Sequence, residues 1–258
     1  MLAISGSDPS GGAGLEADLK TFHQHGVHGM AVPTLLTVQN TTGVRKVKSL
    51  EPDFLEEQLA FLLEDLFPAV VKIGAVGSRS MLQALIRFLS QQRMQGVKVV
   101  VDTVMHSTSG AGLFDMRGMP DFMDRLLPLA YLVTPNVPEF ELIAGRKTTT
   151  SNAAAHLLAF GRDKPYSILL KGGHFPGEPV DHLYHGQTVM TYPGRRIDTP
   201  HTHGTGCALA SAIAANLALG LTLPEAVTRG RAYVQMAILN NPGLGRGKGP
   251  IDFHASVS

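Results

Sequence analysis

The stretch LAISGSDPSGGAGLEADLKTFHQHGVHGMAVPTLLTV, residues 2–38, carries the pattern that decides the fold. Its order predicts a strand over 2–5, a glycine-rich loop, a helix with apolar residues at helical spacing, and a second strand over 29–38. Both strand candidates are apolar at nearly every position, which is typical of strands that are buried on both faces of a parallel sheet.

The same alternation of strands and helices continues along the chain. Further strands are predicted over 70–73, 97–101, 131–134 and 167–170, and a hairpin tip is predicted at 185–187. Helix starts are predicted at Asp53, Ser78 and Thr222, because each can cap the apolar periodic segment that follows it. Short connections between such elements indicate an α/β fold with a mostly parallel sheet and helices on both faces. We therefore expect one domain over residues 1–258.

Composition excludes several classes of protein. The chain has 22 basic and 21 acidic residues, so no global basic field points to nucleic acid or to an anionic membrane. One cysteine cannot form an internal disulfide and is too few for a cysteine-based zinc site. The most apolar stretch, 208–223, is interrupted by polar residues and predicts a buried helix rather than a membrane span. The N-terminus does not resemble a secretory signal, and we expect a soluble, cytoplasmic protein.

Two glycine-rich loops are candidates for ligand binding. The loop 6–14 follows the first strand, and its glycines allow backbone to approach a ligand closely, although a flexible turn would look similar. The loop THGTGC, 202–207, leads into a helix of small residues, so its N–H groups and the helix dipole would favour a phosphoryl group. The same field would favour the thiolate of Cys207, unless this cysteine is a small core residue. His201 and His203 could ligate zinc only with a third ligand from elsewhere.

Four charged residues are candidates for the chemistry. Asp18 lies on the apolar stripe of the first helix, so a polar ligand or a buried donor should meet it, unless it bonds to nearby backbone. Asp102 and Glu139 follow predicted strands, where carboxylates line the ligand crevice of α/β sheets and suit Mg²⁺. Their alternatives are a turn residue and a charge at a helix N-terminus. Lys171 also follows a strand and could reach a nucleotide phosphate, although a solvated lysine is the commoner fate.

The motifs together resemble a known family. They are GSD at 6–8 with SGGAGLEADLKTF at 10–22, VQNTTGV at 38–44, TPNVPE at 134–139, KGGH at 171–174, HTHGTGC at 201–207 and GRGKGP at 245–250. In this order, and over essentially the whole chain, they resemble the hydroxymethylpyrimidine and hydroxymethylpyrimidine-phosphate kinases of thiamine biosynthesis. That resemblance implies a ribokinase-like three-layer sandwich.

The resemblance also implies an activity and a site. ATP and Mg²⁺ would be used to phosphorylate 4-amino-5-hydroxymethyl-2-methylpyrimidine and then its monophosphate, which gives the diphosphate. The pyrimidine pocket would contain Gly6, Ala13, Asp18, Gln39, Ala75 and Val104, with Asp18 accepting from the pyrimidine amino group. The anion hole would be formed by Gly204, Thr205, Gly206 and Cys207, with Cys207 as base or as a packing contact. Lys171, Thr134 and Asn136 would bind the nucleotide, Asp102 and Glu139 would order Mg²⁺, and residues 245–249 would border the nucleotide.

Partners and alternatives follow from the same resemblance. It implies a homodimer, for which the apolar stretch 29–36 offers possible interface material, and no nucleic-acid or membrane partner. Three departures from the family pattern matter: Thr103 replaces a proline after Asp102, Ala75 replaces a methionine and could widen the ring pocket, and the usual lysine or serine of a lid contact is replaced within 106–110. Two other functions therefore stay open. One is a pyridoxal or pyridoxine kinase, or a dual-specificity enzyme of the same fold, and the other is a non-catalytic pyrimidine-binding protein.

Overall fold

A nine-stranded sheet runs through the computed structural model, which describes residues 1–107 and 109–257. Thr108 and Ser258 belong to the domain predicted from the sequence and lie outside the described residues. The strand order across the sheet is β3-β2-β1-β4-β5-β6-β7-β8-β9. The strands are β1 (Leu2–Ser7), β2 (Met30–Asn40), β3 (Gly43–Ser49), β4 (Val70–Ile73), β5 (Lys98–Val101), β6 (Leu132–Val133), β7 (Ser167–Leu170), β8 (Val180–His185) and β9 (Thr188–Pro193).

The directions of the strands show which edge of the sheet can bind a ligand. Strands β2, β1, β4, β5, β6 and β7 are parallel, whereas β3, β8 and β9 extend the sheet by antiparallel hairpins. The chain leaves β1 toward β2 and later returns to β1's other side at β4, so the strand order reverses there. Such a switch point opens a crevice at the carboxyl ends of the strands.

Helices cover both faces of the sheet, which confirms the predicted α/β layering. Side chains alternate along β1, so Leu2 and Ile4 pack in one apolar cluster and Ala3 packs in the other. On the face of Ala3 lie α1 (Gly14–Gln24), α7 (Thr205–Ala218) and α8 (Leu223–Leu239). On the other face lie α2 (Pro52–Asp65), α3 (Arg79–Leu89), α5 (Val137–Ala144), α6 (Ala153–Gly161) and a run of short turns that contains α4 (Met119–Asp121).

The predicted strands are confirmed to within two residues at each end, and the hairpin tip is confirmed between β8 and β9. There, Gly186 and Gln187 both have positive φ, +57° and +67°, as a two-residue hairpin turn requires. The strand β3 was not predicted, because this edge strand carries exposed basic side chains instead of an apolar run. The stretch 29–36 lies mostly in β2, where Met30, Val32, Thr34 and Leu35 are buried and Leu36 is 44% exposed.

Two of the three predicted helix caps are confirmed. The Ser78 hydroxyl accepts from Met81 N at 3.2 Å, and the Glu225 carboxylate accepts from Thr222 N at 2.9 Å. The cap at Asp53 is wrong, because α2 begins one residue earlier at Pro52, whose fixed φ suits the first helical position. The apolar segment that begins at residue 208 forms buried α7. No helix within 1–107 or 109–257 combines the length and apolarity that crossing a membrane requires.

Candidate active site

A cavity of about 760 Å³ opens at the carboxyl edge of the parallel strands. Its walls are the loops that follow β1, β4, β5, β6 and β7, together with the N-terminus of α7. The cavity is therefore a direct product of the strand order, since parallel strands deliver all of these loops to the same edge. Thirteen of the fifteen predicted site residues line it: Gly6, Ala13, Gln39, Ala75, Asp102, Val104, Asn136, Glu139, Lys171, Gly204, Thr205, Gly206 and Cys207.

The two glycine-rich loops contact each other through backbone. Gly204 has φ +83°, and a Cβ built there would overlap the carbonyl oxygen of Gly12. Gly14 has φ +60°, and a Cβ there would overlap the carbonyl oxygen of Gly6. Only glycine fits both the conformation and the space at these two positions. The contact between Gly204 and Gly12 joins the loop before α1 to the loop before α7, whereas the contact between Gly14 and Gly6 lies within the first of these loops.

The carboxylate of Asp8 contacts residues of both loops. Its carboxylate accepts from Ser10 N at 2.9 Å and from Ala13 N at 3.0 Å, and it lies 2.7 Å from His203 Nε2. Burial opposes ionisation of this carboxyl, but the hydrogen bonds from His203 and Ser10 lower its pKa below the ordinary value. Gln39 Nε2 lies 3.1 Å from the same His203 Nε2, which places the Gln39 side chain of β2 beside the anion loop.

Lys171 and Asp102 meet beside the N-terminus of α7. Lys171 Nζ donates to Asp102 Oδ1 at 2.9 Å, and both side chains are largely buried. A Cβ built at Gly206 would lie 3.4 Å from Lys171 Nζ and 3.9 Å from Asp102 Oδ2. Burial disfavours both charges, yet each partner stabilises the other: the pKa of Asp102 is lowered and that of Lys171 is raised. A cation therefore stands next to the first N–H groups of a helix, an arrangement suited to anions.

Thr134 does not line the cavity, which contradicts its predicted contact with the nucleotide. This residue is fully buried, and its hydroxyl donates to Asp102 Oδ1 at 3.2 Å. It lies directly after the short strand β6, below the loop that reaches the cavity. Thr134 therefore orients Asp102 and does not touch a ligand in the cavity.

Glu139 is held at the start of α5 by a capping box. Its Oε2 accepts from Asn136 N at 2.8 Å, while Asn136 Oδ1 accepts from Glu139 N at 2.9 Å. Thr103 donates to the same Oε2 at 2.7 Å, a bond that the proline usual in the family cannot make. Burial raises the pKa of Glu139, although Lys171 opposes the rise. Glu139 is therefore a charged residue at a helix N-terminus, as the alternative interpretation predicts. It also lines the cavity.

Asp102 and Glu139 leave one carboxylate oxygen each outside the hydrogen bonds just described, and both side chains line the same cavity. Two carboxylates fit a Mg²⁺ ion that keeps several of its waters. They do not fit a fully protein-ligated metal, since in the described part of the chain no three His, Cys, Asp or Glu side chains are grouped to hold one.

Cys207 lies in the first turn of α7 and lines the cavity, but its thiolate is not favoured. Burial raises the pKa of its thiol to about 12, although Lys72 opposes the rise. Burial therefore opposes the effect of the helix dipole on this thiol, and a thiolate at Cys207 stays a prediction.

We expect Cys207 to react slowly with iodoacetamide. A pKa of about 12 instead of about 8.5 reduces the thiolate fraction at pH 7.5, and the greater nucleophilicity of a basic thiolate offsets only part of the loss. Alkylation, followed by intact-protein mass spectrometry, should be about a hundredfold slower than for free cysteine. Because the chain has one cysteine, the signal is unambiguous. A rate at pH 7.5 equal to that of free cysteine would contradict this assignment.

Asp18 does not line the cavity, so its predicted contact with the pyrimidine is wrong. Its side chain is fully buried, and its carboxylate accepts from Lys72 Nζ at 2.8 and 2.9 Å and from Ser211 Oγ at 2.7 Å. From the place of Asp18 on the apolar stripe we expect either a polar ligand or a buried donor. The buried donors Lys72 and Ser211 show that the second expectation is correct. Sequence reasoning missed Lys72, although a lysine within the apolar run VVKI of β4 is a signal that points to a buried partner.

The segment 245–249 lies against the β2–β3 turn. Backbone of Gly247 packs on Thr41, and Gly249 N donates to His201 Nδ1 at 3.2 Å. Lys248 is the part of this segment that lines the cavity. The segment therefore borders the cavity beside Thr41 and His201, and its contact with the nucleotide stays a prediction.

Comparison with known proteins is consistent with this geometry. The family model described as phosphomethylpyrimidine kinase matches residues 8–252. A hydroxymethylpyrimidine/phosphomethylpyrimidine kinase of Rhizobium meliloti is 41% identical over 98% of this chain and 96% of its own. Among solved structures, the phosphomethylpyrimidine kinase from Clostridium difficile has a TM-score of 0.80 and 38% identity, over 92% of this chain and 98% of its own.

A related vitamin kinase has the same fold. The pyridoxal kinase from Staphylococcus aureus, in complex with AMP-PCP and pyridoxal, has a TM-score of 0.87 and 29% identity, over 98% of this chain and 93% of its own. These likenesses cover nearly the whole length of both partners in each comparison. The ribokinase-like fold implied by the sequence motifs is thereby confirmed.

Proposed function

This chain belongs to the hydroxymethylpyrimidine/phosphomethylpyrimidine kinase family, and we propose the reaction that it performs. The γ-phosphoryl group of ATP passes to the 5-hydroxymethyl oxygen of 4-amino-5-hydroxymethyl-2-methylpyrimidine. A second transfer to the monophosphate gives the diphosphate used in thiamine biosynthesis. The observation that carries the proposal is the meeting of Lys171 Nζ, Asp102 and the N-terminus of α7 beside Gly206, in a cavity large enough for both substrates.

The acceptor ring occupies the end of the cavity formed by Gly6, Ala13, Gln39, Ala75 and Val104. Gly6 packs closely against the wall of this end, because a Cβ there would stand 2.6 Å from Leu35 Cδ1. The Gln39 amide provides both a donor and an acceptor for the edge of an aminopyrimidine. The Gln39 amide nitrogen lies 3.1 Å from His203 Nε2, so the amide stands beside the anion loop.

The phosphoryl group is stabilised by fixed charge and dipoles. Backbone N–H groups of Gly206 and Cys207 face it from the start of α7, and Lys171 contributes a full positive charge next to them. Transfer of this kind depends mainly on positioning and on stabilisation of charge. A loose transition state needs little help from a base, which agrees with a protonated Cys207 that packs against the substrate.

Asp102 and Glu139 would hold Mg²⁺ through the oxygens that face the cavity, with water completing the coordination. The bound ion would neutralise charge on the nucleotide phosphates. Asn136 orients Glu139 through the capping box, and Lys171 orients Asp102, so both ligands are fixed in advance. The nucleotide occupies the Lys171 end of the cavity.

We propose that residues 1–258 act as one kinase domain and that the protein is a homodimer. The continuous nine-stranded sheet supports the first statement. The family resemblance supports the second, and Leu36, which is 44% exposed, is apolar surface within the stretch 29–36. Light scattering coupled to size exclusion measures the mass, and the dimer predicts twice 27.5 kDa.

A pyridoxal kinase is the second candidate function. The structure of a pyridoxal kinase superposes on this chain with a TM-score of 0.87, and Ala75 leaves the ring end of the cavity wider than a methionine would. Pyrimidine and pyridoxal differ in the ring edge that they present, and the Gln39 amide favours the aminopyrimidine. A non-catalytic binding protein has no support, since the charged residues that would serve transfer line the cavity together.

A product assay tests the proposal. Purified protein with ATP and Mg²⁺ is given hydroxymethylpyrimidine, its monophosphate or pyridoxal in parallel, and products are identified by mass spectrometry. We expect monophosphate and then diphosphate from the pyrimidine, with little pyridoxal phosphate. Pyridoxal phosphate alone would move the assignment to the second candidate, and no product from any substrate would contradict both kinases.

A further inference from the structure

Behind the loops of the cavity, three polar side chains form a cluster that the reaction described above does not use. Lys72 Nζ lies 2.8 and 2.9 Å from the two carboxylate oxygens of Asp18, and Ser211 Oγ donates to Oδ1 at 2.7 Å. All three residues have no measurable exposure to solvent. We refer to Asp18, Lys72 and Ser211 as the buried triad.

Each member of the buried triad lies a short step from backbone that lines the cavity. Asp18 follows Gly14 by four residues on α1, and Ser211 follows Cys207 by four residues on α7. Residues four apart on a helix are stacked on one face, so each side chain lies one turn below its loop. Lys72 lies on β4, three residues before Ala75 at the ring end of the cavity.

The buried triad stands where the fold would otherwise place apolar side chains. In the sheet, Lys72 is flanked by Ala3 of β1 and Val100 of β5, and both belong to the apolar cluster formed with α1 and α7. Both Asp18 oxygens lie within hydrogen-bond distance of Lys72 Nζ, so the two groups form a buried salt bridge. Burial raises the pKa of the Asp18 carboxyl, and the Asp18 carboxylate raises the pKa of Lys72 against its own burial. A buried ion pair is often no more stabilising than apolar residues of the same volume, so stability alone does not explain it.

The loops above the buried triad are themselves joined. The backbone of Gly14 lies beside the Cys207 thiol, and backbone of Gly12 packs directly against Gly204. The relative position of α1 and α7 therefore sets the distance between the loop that borders the acceptor and the loop that binds the phosphoryl group. The buried triad is the ionic contact that fixes α1, α7 and β4 relative to one another.

We propose that Lys72, Asp18 and Ser211 are positioning residues that hold the anion loop of α7 in register with the acceptor pocket. They act through Gly14, Cys207 and Ala75 and do not touch the substrate. The inference rests on the proposed kinase function, because its main readout is transfer to the pyrimidine. It assigns to the buried triad a specific effect on turnover, which is separable from its effect on folding.

The decisive variant replaces both charges by apolar side chains, Asp18→Leu with Lys72→Met. Because no unpaired charge is left in the core, we expect a melting temperature within a few degrees of wild type. We expect kcat with hydroxymethylpyrimidine to fall at least tenfold, while KM for ATP changes less than threefold. The control removes an ion pair between α2 and α3, Glu56→Gln with Arg87→Gln, whose atoms are 2.8 Å apart and partly exposed, and it should leave both constants unchanged.

A second variant, Ser211→Ala, removes one hydrogen bond and no charge. The chain has one cysteine, so the rate at which iodoacetamide modifies Cys207 reports on the anion loop without any substrate. We expect alkylation several times faster than in the wild type, together with a kcat several times lower. This variant decides the question if the double variant does not fold.

Wild-type kcat and KM in a folded double variant would overturn the inference, and so would unchanged alkylation and unchanged kcat in Ser211→Ala. Failure of the proposed function is distinguishable, because the wild-type protein is assayed in the same experiment. A wild-type protein that gives no phosphorylated pyrimidine would refute the function, and faster alkylation in Ser211→Ala would still support the positioning role.

Discussion

Replacing Gly204 by alanine should abolish most of the phosphoryl transfer. The new Cβ would overlap the Gly12 carbonyl oxygen, and alanine would have to adopt a φ of +83°. The overlap involves backbone atoms of both loops, and backbone cannot rotate away as a side chain can. The anion loop therefore has to move away from its place at the start of α7. Loss of aligned N–H donors typically costs 10²–10³ in kcat, and we expect a fall of at least about a hundredfold. Steady-state kinetics and a melting curve measure the result.

Gly220→Ala is the matched control for that substitution. Gly220 follows the same helix at its other end and has φ +91°, but a Cβ there meets nothing within 4 Å. The control therefore carries the backbone strain without the overlap, and should lower the melting temperature slightly while leaving kcat unchanged. A kcat within threefold of wild type in Gly204→Ala would contradict the role given to the loop.

Replacing Lys171 by methionine should lower kcat by about 10²–10³-fold, or about 3–4 kcal/mol of transition-state stabilisation. The substitution removes the charge that stands 3.4 Å from a Cβ built at Gly206 and leaves Asp102 with Thr134 as its remaining donor. Methionine keeps the volume of the side chain, so the loss is of charge and not of packing. The pH dependence of kcat is measured alongside, since the pKa of Asp102 rises when Lys171 is removed.

Lys147→Met provides the control, because Lys147 is 91% exposed and pairs with Glu141 at the surface. It should leave kcat unchanged. The double variant Lys171→Met with Asp102→Asn separates stability from catalysis: it removes the unpaired carboxylate, so the melting temperature should recover while kcat does not. Full activity of Lys171→Met with ATP would show that this lysine does not act on the phosphoryl group.

Much of the architecture could be predicted because parallel strands are buried on both faces and leave continuous apolar runs. The loops that follow such strands meet at one edge, which is why residues as distant as Gly6, Asp102, Lys171 and Gly204 could be assigned to one site. The strand β3 escaped prediction for the opposite reason, since its side chains are basic and partly exposed. Hydrophobic periodicity identifies the buried faces of helices and strands, but it gives no signal for an edge strand with polar side chains.

The errors within the site concern polar residues whose partners are distant in sequence. Asp18 meets Lys72, 54 residues away, and Ser211, 193 residues away. Spacing along α1 shows that this acid points inward, but only the packing of β4 and α7 shows what it meets. Thr134 and Cys207 illustrate the same limit, because a position at a loop does not reveal whether a side chain faces the cavity or how far it is withdrawn from water.

The position of a transition-state mimic tests the central claim most directly. A crystal structure of the protein with hydroxymethylpyrimidine, ADP, Mg²⁺ and aluminium fluoride would locate the transferring group. The account predicts that the fluoride ligands lie within hydrogen-bond distance of the Gly206 and Cys207 N–H groups and of Lys171 Nζ, with the pyrimidine against Gln39. Aluminium fluoride bound elsewhere in the cavity, or a ring at the Lys171 end, would contradict it.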